Sequence, residues 1–215
     1  MGLSLQQCSV SAVAAAVLLL VGCAQSNTPS ADAASGAANA TARPAELVTA
    51  KAAFWPLYKS AQAWSSDAEA MRVAPRDVPG FKNGAGRAAM WQATFASPSR
   101  RQYRVYSYAI ATALPDIHKG TDAGLPLPWS GPTRDAMPID PTVFTVDSDA
   151  AYQASAADAA AWLAKNPGKE LTSLELGSTY AFQAPVWYVA WGDKKSGYTA
   201  FVNATTGKLY KSKQR

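Results

Sequence analysis

Residues 185–210 read PVWYVAWGDKKSGYTAFVNATTGKLY. Trp187, Val189 and Trp191 recur at every second position, the period of a half-buried strand. Gly192-Asp193-Lys194-Lys195-Ser196-Gly197 makes a turn, and Tyr198, Ala200 and Val202 return on the same period, so the stretch is an aromatic hairpin. It closes at Thr206-Gly207-Lys208, where Gly207 supplies a positive-φ position and the Asn203 side chain can bond the backbone just ahead. The aromatics are therefore expected to be core, covered by the preceding helix, rather than a binding face.

The pattern has an echo 96 positions earlier (187 − 91), in AAMWQATFASPSRRQYRVYSY at 88–108. Trp91, Ala93 and Phe95 share a strand face, Ser97-Pro98-Ser99 turns the chain, and Tyr103 and Val105 line the returning strand. Upstream, Leu47, Ala50, Phe54, Leu57, Ala61 and Trp64 step by three and four, one face of a helix that Pro56 should kink or divide. Glu69-Ala70-Met71-Arg72-Val73 then alternates as a strand. In the second half Asp147 or Ser148 caps a helix to about Lys165, with Tyr152, Ala156, Ala159 and Leu163 at helical spacing. Asn166-Pro167-Gly168 stops it, and Leu174 and Leu176 mark a strand.

The expected fold is α+β: two tandem α-β-β-β units at 44–123 and 147–215, antiparallel sheets each covered by a helix, joined by a proline-rich linker at 124–146. The arrangement resembles PepSY and PepSY-like domains, most clearly over 148–211. The closing pattern carries the likeness: a Trp-led aromatic strand, a turn, then Asn203 where the family usually has Asp, followed by Ala204, Thr206, Gly207 and Lys208. The resemblance implies a small exported module that binds and restrains a protein partner, a protease among the candidates.

The N-terminus speaks to location. Val10 to Val21 is almost wholly apolar but shorter than the roughly 20 residues of a membrane-spanning helix, so it fits the hydrophobic region of a signal peptide. Leu20-Val21-Gly22-Cys23 resembles the lipobox of bacterial lipoproteins, which implies cleavage of 1–22 and lipidation of Cys23 with palmitate-class acyl chains. The first basic residue is Arg43, so only the terminal amine charges the segment ahead of the apolar run. Ala24 and Gln25 follow the cysteine rather than the Asp that favours inner-membrane retention in that family, which implies the outer membrane, facing the periplasm. Residues 24–43 contain no large apolar side chain and read as a disordered tether.

With Cys8 removed and Cys23 lipidated, no thiol is left for disulfides, thiolate metal sites or nucleophilic catalysis. His118 is the sole histidine, with Asp116 and Asp122 near it in sequence, and no histidine pair exists for zinc. Asp147 and Asp149 suit a helix start better than a metal loop. No catalytic residue, metal or cofactor is expected. The net charge of +5 is spread along the chain apart from Arg100-Arg101 with Arg104 and the tail Lys208, Lys211, Lys213 and Arg215. In an exported protein it points away from nucleic acid and toward a solvated face or mild attraction to anionic lipid or cell wall. Candidate partner-binding residues are Trp129 in the linker and the basic pair Arg100 and Arg101; Trp129 itself is expected to pack between the two units. The functional expectation is a membrane-anchored, non-catalytic binding module whose periplasmic partner is a protease or an envelope complex. Two alternatives stand beside it: a structural lipoprotein contacting peptidoglycan or a membrane complex, and a small hydrolase or ligand-binding protein centred on His118.

Overall fold

The structure, a computed structural model, describes residues 46–214; Cys23, the expected signal peptide and the tether lie outside them. Helix α1 (Ala50–Trp64) begins at Thr49, whose hydroxyl accepts from the Ala52 N–H, and it buries Phe54, Leu57 and Ala61. Pro56 neither ends this helix nor starts another. Phe54 and Leu57 flank it and are fully buried, and that packing outweighs the missing hydrogen bond. Strands β1 (Glu69–Arg76), β2 (Met90–Ser97), β3 (Gln102–Ala109) and β4 (Gly120–Ala123) follow, with the short β5 (Leu127–Pro128) beside the start of β3.

The second half opens with α2 (Ser148–Asp158) and α3 (Ala160–Lys165). The single helix expected here is divided at Ala159, after Ser155 turns its hydroxyl back onto the Ala151 carbonyl. Beyond the break Trp162 takes the buried position. Strands β6 (Leu171–Gly177), β7 (Val186–Trp191), β8 (Tyr198–Asn203) and β9 (Leu209–Gln214) complete the chain.

All strand pairs are antiparallel, and the order is β4-β3-β2-β1-β6-β7-β8-β9. Among the described residues there is, in place of two sheets, one sheet of nine strands, because β1 and β6 pair directly through Arg72↔Gly177 and Val73↔Leu176. The order therefore reads alike outward from that junction, and each side ends on a fourth strand, β4 or β9, that no run of large apolar residues announces. A row of directly opposed residues crosses the sheet from Tyr106 through Ala93, Val73, Leu176 and Trp187 to Val202, all of them buried in one core with the helices. On β3 it is Tyr106 that faces this core; Tyr103 and Val105 point to the other side of the sheet.

Two matching contacts pin the helices. The Trp91 indole N–H donates to the Val48 carbonyl at 2.9 Å and the Trp187 indole N–H to the Val146 carbonyl at 2.9 Å, each carbonyl lying just before a helix cap. A buried indole needs such an acceptor. The helix starts also meet each other. The Ala50 N–H donates to Ser148 Oγ at 2.9 Å and the Lys51 N–H to Asp147 Oδ1 at 2.9 Å, so caps of the second half serve the first.

The segment at 124–146 is part of the fold rather than a linker. Its Met137 N–H bonds the Ser178 carbonyl and its Ile139 N–H the Ala70 carbonyl, tying the ends of β6 and β1. Phe144 stands 5.5 Å from Phe54 and 5.8 Å from Trp187, ring centroid to ring centroid, filling the place between the halves. Trp129 does not occupy that place: its N–H donates to the Arg101 carbonyl, out beside β3.

Candidate functional site

Because α1, α2 and α3 all pack into the core on one side, the opposite face of the sheet carries the alternate residues of every strand. Across the centre of this face run Val105, Thr94 and Arg72, each directly opposed to the next. Past the junction the series resumes as Glu175, Tyr188, Phe201 and Lys211. Arg72 and Glu175 form an ion pair at 2.5 Å that spans β1 and β6. Both are partly exposed, so the pair contributes little to stability and mainly fixes the two side chains.

The small side chains Ala74, Thr94 and Ser173 leave a groove of about 660 Å³ over the junction, within the usual range for binding clefts. Lys82 and Glu170 pair at 3.2 Å on its rim. A second concavity of about 490 Å³ shares Thr172 and Ser173 with the first and continues over β7 toward Asp193. Together they form a polar trough that crosses both halves. Along its second-half side stands an aromatic bank: Phe182 lies 5.2 Å from Phe201 and 5.3 Å from Tyr210, and Tyr188 lies 5.4 Å from Phe201. The trough was readable only as the polar half of each strand's alternation; nothing in the local pattern says that the two halves join beneath it.

Arg100, Arg101 and Trp129 do come together, at one pole of the molecule where α1 ends and β2 turns into β3. Trp64, the last residue of α1, and Arg104 join them: the Arg100 and Arg104 guanidinium carbons each lie 5.7 Å from the Trp64 ring centroid. Beneath them Asp67 accepts from the Ser65 and Ser97 hydroxyls and from the Ser99 N–H, and these bonds hold its carboxyl well below the usual range. Asp193 is held low in the same way at the β7–β8 turn, by the Ser196 hydroxyl, Lys169, and the Ser196 and Lys195 N–H groups.

The residues of the alternative hydrolase are not assembled. His118 is exposed, lines neither concavity, and makes no hydrogen bond to Asp116 or Asp122. Asp147 caps α2, accepting from the Ser148 N–H, and Asp149 pairs with Arg87 at 3.3 Å. Among the described residues no group of three or more His, Cys, Asp and Glu is placed to hold a metal ion, and no helix is long and apolar enough to cross a membrane. Cys23, the lipidation candidate, lies outside the described residues.

No family model matches the chain, PepSY included, and no curated protein matches it. Among solved structures, the chain is similar to a candidate lipoprotein from Clostridium difficile 630, at 8% identity with a TM-score of 0.46, covering 76% of this chain and 93% of that one. Overlap of that quality is too loose to assign a fold family or a role.

Proposed function

We propose that this chain is a lipoprotein anchored through Cys23 to the outer membrane, facing the periplasm, and that it acts without catalysis as a binding module for an envelope protein. The signal-like segment and the Leu20-Val21-Gly22-Cys23 box support the anchor. The observation that carries the binding role is the trough over the β1–β6 junction: a concave, polar face bounded by aromatics and left uncovered by the helices. The partner class is a protease or an envelope-assembly complex. The two halves are read as copies of one ancestral α-β-β-β unit, a reading supported by the matched Trp91 and Trp187 clamps and the mirrored strand order.

Two measurements test this. Cys23→Ser should release the protein from the membrane fraction and change its mobility; retention with unchanged mobility removes the anchor. A photo-crosslinking residue at Thr94, on the trough floor, should capture a discrete envelope protein in growing cells. The same residue at Lys59, exposed on α1, should not. Equal capture from both positions, or none from Thr94, overturns the assignment of the trough.

A further inference from the structure

Away from the trough, the pole at the end of α1 holds three arginines whose charges the fold leaves unanswered. Arg72, Lys82, Arg87 and Lys169 all have carboxylate partners, whereas among the described residues Arg100, Arg101 and Arg104 form no ion pair. The nearby carboxylate, Asp67, is committed to Ser65, Ser97 and Ser99.

The two guanidinium groups at Trp64 are nevertheless positioned. Arg100 donates through Nε to Ser65 Oγ at 3.2 Å and Arg104 through Nε to the Gly124 carbonyl at 2.9 Å. Each plane also lies by an aromatic ring: Arg100 and Arg104 by Trp64, and Arg104 by Tyr106 at 5.5 Å. With Nε used and the planes held, the terminal nitrogens remain as forks for an incoming oxyanion. Under this cluster the Tyr106 hydroxyl is buried and makes no well-formed hydrogen bond among the described residues, with the Arg104 guanidinium close to it. Apolar surface adjoins it, with Leu125 exposed beside the Gly124 carbonyl that Arg104 holds and Trp129 half-buried next to Arg101.

We propose that this pole is a second recognition site, which takes an acidic polypeptide segment by its carboxylates, with an apolar residue of that segment against Leu125 and Trp129. Positioned arginine with aromatic and aliphatic neighbours is the composition of an interface hot spot rather than of a diffuse cationic face. Its place in the molecule also argues against a lipid surface. Trp64 lies fourteen residues along α1 from Ala50, about 21 Å at 1.5 Å per residue, and the chain arrives from its expected anchor at the Ala50 end.

The test uses the full lipidated protein in detergent micelles and a fluorescent peptide of Glu interspersed with Leu, read by anisotropy. Wild-type protein should bind it, and the same peptide with Gln for every Glu should not bind. The double variant R100Q/R104Q should weaken binding about tenfold or more, and R100K/R104K, which keeps the charge but not the stacked fork, should recover only part of it. Because Arg100 and Arg104 also hold backbone and Ser65, R101Q serves as an independent probe; its side chain makes no internal bond among the described residues, and it should still weaken binding. Lys211→Gln, on the other face, should have no effect. The proposal is overturned if the Gln peptide binds equally, if R100Q/R104Q and R101Q bind as wild type does, or if the pole captures phosphatidylglycerol vesicles while the peptide fails to bind. Any of these outcomes leaves the Thr94 crosslinking result, on the opposite side of the sheet, unaffected.

Discussion

Trp187 and Trp91 show how much one side chain can decide. Each ring is fully buried, and each indole N–H ends on the carbonyl that precedes a helix, so ring and hydrogen bond together fix how that helix lies on the sheet. Replacing either by Phe puts a smaller ring in the same space; at Trp187 it also takes the donor from the Val146 carbonyl, whereas at Trp91 the Val48 carbonyl keeps the Ala88 N–H at 3.0 Å. The expected cost, measured by denaturant unfolding, is about 2–4 kcal/mol at Trp187 and smaller at Trp91, where the carbonyl keeps its backbone donor. A loss below about 1 kcal/mol at Trp187 would mean that water or another donor replaces the indole there. Gly86 is a sharper case. It sits at φ +79°, and a Cβ there would lie 2.4 Å from the Asp149 Cα and from the Ser148 carbonyl oxygen. Gly86→Ala should therefore cost about 3 kcal/mol or more, since backbone on both sides must move apart. The burial of Trp187 and Trp191 was legible from period alone, and so was the Gly207 turn, where Asn203 accepts from the Thr205 and Thr206 N–H groups. The need for Gly86 was not, because its neighbours come from residues more than sixty positions away.

At the level of elements, local chemistry made helices and hairpins readable and their seams unreadable. The caps at Thr49 and Asp147 lie where apolar spacing begins, but Asp147 and Ser148 also serve the start of α1, a role that depends on the join between halves. Ser148→Ala should strand the buried Ala50 N–H and cost about 1–3 kcal/mol; a change within about 0.5 kcal/mol would show that the bond is dispensable. The two central hairpins carry a pH signature. Asp67 and Asp193 are held below the ordinary carboxylate range by hydrogen bonds made only in the folded chain. A depressed folded pKa adds stability above the unfolded value, near 3.9, and that stability is lost as pH falls through and below it. The melting temperature should thus be flat from about pH 7 to 5 and drop below about pH 4. Asp67→Asn and Asp193→Asn should start lower and fall less steeply on acidification. Identical slopes in wild type and both variants would remove these carboxylates from the acid response.

For the molecule as a whole, the consequence of the β1–β6 junction is that neither half owns its core. Alternation within 69–76 and 171–177 identifies two strands but contains nothing about which strand lies beside which, so two separate sheets were as consistent with the sequence as one. The place of the proline-rich segment is hidden from the sequence for the same reason. Phe144 looks unremarkable in sequence, yet it is 2% exposed and touches Phe54 from one half and Trp187 from the other. A molecule built this way should unfold as one unit despite its repeated appearance, because opening either half exposes the shared row at Val73 and Leu176 and the Phe144 contacts. Native-state hydrogen exchange should give the slowest amides of β2 and of β7 the same opening free energy. Phe144→Ala should lower both by the same amount, about 3–5 kcal/mol. If β7 lost protection while β2 kept it, the halves would be independent folding units that merely abut, and the trough between them would be a hinge rather than a fixed surface. Equal loss in both would make the junction rigid, which is the condition under which a groove built from two halves can present one partner with one shape.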